Sequence, residues 1–579
     1  MRAASFEPRV SIRECAGRRV LPEPRRVSFS PISCQIAPPT SHPSLLPSEG
    51  SGRLVPQRAK SRPLLVQSGC LAVLCFAQMR AMAFDFFQPV QPPRAVQVMV
   101  HRGAAMQAPE NTRPALEHCI EDQLEWAEVD VRRTFDGLHV LWHNDSVTDT
   151  NGNGLKIKES LWSALRQVDV GAPFAARFAG TPMLTLKECF ALCKGRLNLY
   201  LDCKAVNPEQ LAREIVDAGM EKQVVVYLSL EDCRRAQRVS KGKVATMTKW
   251  RRNLGGVEWA VTNGLAAVEV DAPELTPETG AAFRRAGIKV QAKVLDDWDK
   301  PEFWDRAMAA GADWLQTDLP EEVLAQALWR RVTKRPVQIS LHRGANRYAP
   351  ENTRPAFEKA VRLGADYVEF DVRTTKDGQY FLLHDSRLNR TTDGQGPISE
   401  MTADDVRKLS AGVKFGLPFA KTPVPTLADF MAEFAGKIGF YFDAKAIPPQ
   451  VLADALTRHQ MVDRTVVYQS AGFIDQLRAI NPQIRGLPPL GKPEDLDELA
   501  KSKPYGVDTD WSILSKELIA RCHAHGIKVF SDALGEHEKV EDYLQAMEWG
   551  IDVIQTDYPL RVMRAIELWA LRHPPSSNR

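Results

Sequence analysis

Residues 338–385 read QISLHRGANRYAPENTRPAFEKAVRLGADYVEFDVRTTKDGQYFLLHD, and the way this stretch alternates decides the fold. A short apolar run (338–341) ends at His342-Arg343-Gly344, and a helix follows in which Ala356, Phe357, Ala360 and Leu363 recur at helical spacing. Asn352 or Thr353 is placed to cap that helix, and Pro355 suits its first turn. A second strand-like run (367–371) comes next, then Lys376-Asp377-Gly378, then a third run (380–384). Strand, helix and strand in that order form a βα unit of a parallel sheet. The gap between 371 and 380 is too short for a helical crossover, so a hairpin joins those two strands.

The same pieces occur earlier in the chain. His101-Arg102-Gly103, Pro109-Glu110-Asn111-Thr112, Glu128-Val129-Asp130 and His143 each precede their counterparts by one offset (342 − 101 = 241; 384 − 143 = 241). Asp202-Cys203-Lys204 matches Asp443-Ala444-Lys445 at that offset, and Gln316-Thr317-Asp318 matches Gln555-Thr556-Asp557 at 239. A repeat of about 240 residues is far longer than a solenoid unit, so each copy is expected to be a domain with its own core. The boundaries read from the pattern are 97–334 and 335–575. In the second copy, further strands are expected at 439–443 and 465–468, and near Ile484, Val507, Val529 and Val553. With the antiparallel arm set aside, that is the content of a distorted eight-stranded α/β barrel.

Composition narrows the function classes. Of 579 residues, 44% are apolar and 25% charged, as in ordinary globular proteins. A net charge of +3 without a basic stripe argues against nucleic acid as partner. Ten cysteines lack metal spacing, and only Cys522 lies in the second copy, so the repeats share no disulfide framework. Cys189 and Cys193, four apart on a helix, read as small packing residues.

Residues 1–95 differ in kind. Up to residue 62, ten Arg and one Lys face four Glu, proline and serine are frequent, and periodicity is missing, the signature of disorder. The run 64–83 joins an apolar stretch (LLVQSGCLAVLCFA) to Ala81-Met82-Ala83, which fits a secretory leader cleaved after Ala83 and is too short to span a bilayer. Its distance from Met1 leaves two other readings open, an Arg-rich organellar transit segment and an apolar element packed on the first barrel. The expected location is therefore periplasmic or secreted, with an organelle or the cytoplasm as alternatives. No hydrophobic tail follows the final helix, so no stable membrane anchor is expected.

The polar residues of each copy fall at the carboxyl ends of expected strands, where barrels build their active sites. Residues two apart on a strand share a face, so Glu369 and Asp371 are able to grip one cation with Asp443 as a third oxygen ligand. Glu128, Asp130 and Asp202 do the same in the first copy. Hard carboxylate oxygens suit Ca²⁺ or Mg²⁺. His342 and His384, with His101 and His143 in the first copy, are the candidates for proton transfer. Arg343 and Lys445, with Arg102 and Lys204, are candidates to hold an anionic group, phosphate or carboxylate, and Glu351 and Glu110 stand in support.

The series HRG, PENT, E-x-D-V-R-T-T-x-D-G and HD, followed by a late T-D-x-P, resembles the glycerophosphodiester phosphodiesterase family over most of residues 97–570. The resemblance implies two tandem distorted TIM barrels of the phospholipase-C-like phosphodiesterase type. It also implies metal-dependent hydrolysis of glycerophosphodiesters to sn-glycerol 3-phosphate and an alcohol, the neighbouring glycerol hydroxyl attacking to give a cyclic phosphate that water opens. Asp-x-Lys at 202–204 and 443–445, where that family commonly carries glutamate, is similar to the sphingomyelinase D-like branch, so lysophospholipids remain an alternative substrate. The copies also differ. His384-Asp385 is followed by Arg390-Thr391-Thr392-Asp393-Gly394, whereas His143-Asn144-Asp145 carries an extra residue and lacks the Arg-Thr-Thr run. Activity is expected in the second barrel and also in the first, with a non-catalytic scaffold as the alternative for the first.

Overall fold

The computed structural model describes residues 84–149 and 151–574; the leader-like run 64–83 and the segment expected to be disordered lie outside the described residues. In the first domain eight parallel strands follow one another around a barrel: Gln97–Val100, Trp126–Arg133, Asn198–Ala205, Val224–Tyr227, Ala245–Lys249, Ala267–Asp271, Lys289–Lys293 and Trp314–Thr317. The first strand pairs with both the second and the last, which closes the ring. A ninth strand, His139–Leu141, folds back antiparallel on the second, as the hairpin expectation requires.

The second domain repeats the plan with Gln338–Leu341, Tyr367–Thr374, Gly439–Asp443, Thr465–Tyr468, Arg485–Leu487, Pro489–Leu490, Gly506–Asp510, Lys528–Asp532 and Val553–Thr556, plus Tyr380–Leu382 antiparallel on Tyr367–Thr374. Its fifth position is one strand broken in two at Pro488-Pro489. Residues 485–487 pair with one neighbour and 489–490 with the other, and the prolines have no N–H to give to the ladder between them.

Strand residues are buried on both faces, so they read as near-continuous apolar runs, and parity decides which face each takes. Met99, Trp126, Tyr200, Val225, Met247, Ala267 and Trp314 fill the inside of the first barrel. Phe86, ahead of the first strand, plugs the amino-terminal end with its ring edge-on to Trp126 and Trp314 at 5.3 and 5.2 Å. Tyr367, Tyr441, Val466, Leu487, Phe530 and Val553 fill the second barrel. Continuing each strand with the same parity puts Glu128, Asp130 and Asp202, and Glu369, Asp371 and Asp443, into the carboxyl-terminal mouth.

The barrels pack directly on each other. The helices that close them, Pro320–Trp329 and Pro559–Arg572, lie together, and one apolar core runs through both domains. Polar contacts fix the register of this interface. The Arg347 guanidinium donates to Asp122 and, at 2.9 Å, to Glu121, while the Tyr348 hydroxyl donates to Asp122 at 3.0 Å. Lys359 is buried against Glu321 and Glu322. Burial alone would raise the Asp122 carboxyl, but the Arg347 guanidinium and then His118 hold it below the usual carboxylate range. No helix among the described residues is long and apolar enough to cross a membrane.

Removing one partner of a buried ion pair leaves the other charge stranded. Arg347→Ala should therefore destabilise the protein by about 3 kcal/mol, measured by denaturant unfolding at pH 7. Because the Asp122 carboxyl is depressed in the folded state, the difference between wild type and variant should shrink as the pH falls below the ordinary aspartate range.

Candidate active site

Each barrel gathers one oxygen from each of three carboxylates within 4.8 Å, Glu128, Asp130 and Asp202 in the first and Glu369, Asp371 and Asp443 in the second. Asp371 and Asp443 are Cα partners on adjacent strands, as are Asp130 and Asp202, so strand register alone places those two side by side. Glu369 and Asp371 are buried. Burial, then the charges of Asp371 and Asp443, pushes the Glu369 carboxyl well above its ordinary value, and Glu128 responds in the same way to burial, Asp130 and Asp202.

Three devices hold these acids in place. Arg343 sits in the left-handed region (φ 54°) and its backbone N–H donates to Glu369 Oε2 at 2.8 Å. The turn at Gly344 (φ 81°) lies so close to the following helix that a Cβ there would meet the Ala356 side chain at 2.8 Å. Asn352, also left-handed (φ 55°), donates from Nδ2 to Asp371 Oδ2 at 2.8 Å and accepts from the Asp371 N–H at 3.2 Å. This corrects the capping expectation: Thr353 occupies the cap position but its hydroxyl donates back to the Pro350 carbonyl, and Asn352 serves the acid cluster instead. Finally, the Lys445 ammonium lies on Asp443 and 3.2 Å from Asp371 Oδ1, so the lysine expected to hold phosphate is an ion-pair partner of the acids. The first barrel repeats every contact, with Arg102 on Glu128 at 2.7 Å, Asn111 on Asp130 at 2.8 Å and Lys204 on Asp202 at 2.7 Å.

The donor set passes a chemical test for a hard divalent cation. All three ligands are carboxylates that bring one oxygen each within 4.8 Å of one another, and the single Lys445 ammonium beside Asp443 and Asp371 leaves the set with a net negative charge.

The histidines stand beside this cluster. His342 Nδ1 meets Asp557 Oδ1 at 2.8 Å, and Asp557 is held by the Asn346 side chain and by its own N–H on Glu538. Burial raises the Glu538 carboxyl to about 7. His101 meets Asp318 in the same way at 2.9 Å. His384 Nδ1 meets Asp385 Oδ1 at 2.7 Å, and its carbonyl accepts two bonds from Arg373. Asp385 in turn accepts from Arg390, which also clasps Glu351, and Glu351 accepts from Arg343 at 3.1 Å. The Arg390 bonds, then His384, hold the Asp385 carboxyl below its ordinary value. Glu351 is thus a clamp between two arginines.

Here the copies part. In the first barrel His143 Nδ1 faces the neutral Asn144 side chain at 3.0 Å, and Glu110 meets Arg102 alone. A small hairpin, Ser146–Thr148 with Gly154–Lys156, stands where the second barrel places its Arg390 loop. The sequence reading gave no role to Asp557, Asp318, Asp385 or Arg390, and read Asn352 and Asn111 as helix caps only. The repeated T-D-x-P and PENT motifs were the available signal for four of them.

The family model for the glycerophosphoryl diester phosphodiesterase family matches residues 101–322 and 342–479. Over 233 residues the chain is 30% identical to a glycerophosphodiester phosphodiesterase of Caldanaerobacter subterraneus subsp. tengcongensis, covering 38% of this chain and 94% of that protein. It is 27% identical over 244 residues to one from Bacillus subtilis, covering 38% and 82%. Among solved structures, a glycerophosphodiester phosphodiesterase from Agrobacterium tumefaciens aligns at 27% identity and a TM-score of 0.36, covering 39% of this chain and 99% of the other.

The acid cluster opposes folding at neutral pH, and the sign follows from the raised Glu369 carboxyl. Its folded value lies above its unfolded one, so stability is greatest below the ordinary glutamate range and is lost as pH rises through the folded value. In chelator, the melting temperature should rise on going from pH 7.5 to pH 5.5, and Glu369→Gln should reduce that rise. A flat profile in the wild type would contradict the arrangement.

Proposed function

Because the chain belongs to the glycerophosphoryl diester phosphodiesterase family, we propose that it hydrolyses glycerophosphodiesters to sn-glycerol 3-phosphate and an alcohol, principally in the second barrel. The observation that carries this reading is the pair of histidines beside one acid cluster, each with Nδ1 tied to a carboxylate. That tie fixes ring and tautomer and leaves Nε2 to exchange protons.

One imidazole takes the proton from the attacking glycerol hydroxyl as its oxygen bonds to phosphorus, and the other gives a proton to the departing alcohol oxygen. Water then opens the cyclic phosphate with the two roles exchanged. Arg343, fixed by Glu351, lies against the acids and is set to receive the phosphoryl oxygens. Lys445 adds a second positive charge beside them. Glu369, Asp371 and Asp443 would hold the divalent cation, Ca²⁺ or Mg²⁺, which when bound supplies charge stabilisation to the phosphoryl oxygens. The first barrel keeps His101, Arg102, Glu128, Asp130, His143, Asp202 and Lys204, but with His143 less firmly oriented it is assigned the smaller share of turnover. The leader-like run 64–83 supports an exported enzyme that recovers phosphate from lipid debris.

A second substrate class is favoured by one feature. A cleft of about 870 Å³ between the barrels is lined by Phe174, Val413, Phe415 and Leu417 and reaches Glu351 and Arg390. An acyl chain of a lysophospholipid would lie there.

Release of glycerol 3-phosphate from glycerophosphocholine, assayed with Ca²⁺, with Mg²⁺ and with chelator, tests the main reading. Product should require a cation, fall by more than half in His384→Ala and by less than half in His143→Ala, and fall by about 10²-fold or more in the double variant. No product with any cation would sink it. Leu417→Asp, at a residue 65% exposed, should slow lyso-lipid turnover and spare glycerophosphocholine; equal rates on lyso-lipid would remove the second class.

A further inference from the structure

The acids, histidines and arginines above recur in both barrels, but the wall across the mouth from them does not. Strand register makes the comparison residue by residue. In the first barrel the last inward residues of strands five to seven are Lys249, paired with Glu269, Asp271, paired with Lys293, and Lys293, paired with Gln316. In the second the same register positions hold Pro489, paired with Asp508, Asp510, paired with Asp532, and Asp532, paired with Gln555. Both lysines are gone, one replaced by proline and the other by aspartate.

The electrostatic result differs in kind. Lys249 reaches Asp271 at 2.6 Å and Glu269 at 3.4 Å, so the first barrel neutralises its own acids and has Lys293 in addition. In the second barrel Asp508, Asp510 and Asp532 face no lysine or arginine among the described residues, only the His342 imidazole beside Asp532 and the His537 imidazole beside Asp510. Asp532 accepts from the Gln555 amide at 2.6 Å and Asp510 from the Ser512 N–H. Asp508 Oδ1 is shut off from solvent without a hydrogen-bond partner, the Tyr441 hydroxyl being the polar group beside its carboxyl. An unpaired carboxylate oxygen in such a place lacks the cation that would repay its burial. The inward tyrosine of the fourth strand is common to both barrels, Tyr227 and Tyr468, but only in the second does it stand beside far-wall acids without a lysine among them; the residue after the sixth strand also differs, Ala272 in the first barrel and Trp511 in the second, where Trp511 stacks on His537. Carboxylates and aromatic rings together are the chemistry that binds alkylammonium groups.

Pieces shared by both barrels must serve what all substrates share, the phosphate and glycerol. The wall that differs faces what varies, the alcohol. We infer that the two barrels divide glycerophosphodiesters by the charge of that alcohol, the second taking cationic alkylammonium alcohols of the choline or ethanolamine kind and the first taking uncharged or anionic ones. This rests on the hydrolytic reading given above and extends it to substrate class.

The test uses the full chain with one barrel silenced at a time, His143→Ala to isolate the second and His384→Ala to isolate the first. kcat/KM is measured for glycerophosphocholine and for glycerophosphoglycerol. The second barrel should prefer the choline diester by about tenfold or more and the first should not, a single well-placed charge contact being of that order. In the second barrel Asp532→Asn should lower the ratio of glycerophosphocholine to glycerophosphoglycerol kcat/KM by about tenfold, a ratio that cancels any effect on turnover through His342 beside it. Equal preference in the two barrels, or an Asp532→Asn loss that is the same for both diesters, overturns the inference. If neither barrel turns over any diester, the hydrolytic reading alone has failed, and calorimetry decides the charge division. Tighter binding of glycerophosphocholine than of glycerophosphoglycerol by wild type, lost in Asp532→Asn, supports it, and equal affinities overturn it.

Discussion

Three carboxylates, two of them buried, repel one another at one end of a closed barrel, and most of what is unusual in this chain exists to hold them there. A left-handed arginine gives up a favourable backbone conformation so that its N–H reaches Glu369, and a left-handed asparagine does the same so that its side chain brackets Asp371. Non-glycine residues adopt that conformation at a cost, and strain of this kind gathers where function needs a fixed geometry. Lys445, two residues past the end of the third strand, supplies positive charge beside Asp443. The same solution is found twice in one chain, contact for contact.

Barrel closure is what makes the arrangement possible. Strands with alternate residues pointing inward place large apolar side chains low in the barrel and acids high, and neighbouring strands in register set Asp371 against Asp443 without any loop being involved. The loops then carry the differences. In the second barrel the Arg390 loop ties His384, through Asp385 and Glu351, to Arg343 on the opposite side of the site. The first barrel has a hairpin in that place and keeps its histidine on a neutral neighbour. Variation confined to loops on a constant scaffold is how barrel sites usually diverge, yet here the strand ends over the far wall have diverged as well.

The two domains share more than ancestry. Their closing helices pack together, Arg347 of the second barrel reaches Asp122 of the first, and residues 172–177 of the first wall the cleft beside the second site. Separation would expose apolar surface and strand a buried charge on each side. The cleft beside the second site is therefore partly built by the first barrel.

Much of this was legible in residue order. The 241-residue offset announced two domains, the apolar runs and helical spacing announced parallel βα units, and the short gap after Asp371 announced the antiparallel arm. Two-residue spacing announced that Glu369 and Asp371 share a face. These are local or periodic properties, and chain geometry enforces them wherever they occur. The partners of the histidines were not legible in the same way, because Asp557 lies 215 residues from His342 and meets it only when the eighth strand closes on the first. Nor was the task of Asn352, which by local preference reads as a cap and by tertiary contact is a clamp on Asp371. The sequence by itself determined the duplication, the barrel class and which acids, histidines and basic side chains sit at the strand ends, since these depend on pattern. Only the tertiary structure decided which acid orients which histidine, which barrel leaves its far wall negative, and where the two domains meet, because those depend on closure across hundreds of residues and on unpaired charge that no local spacing records.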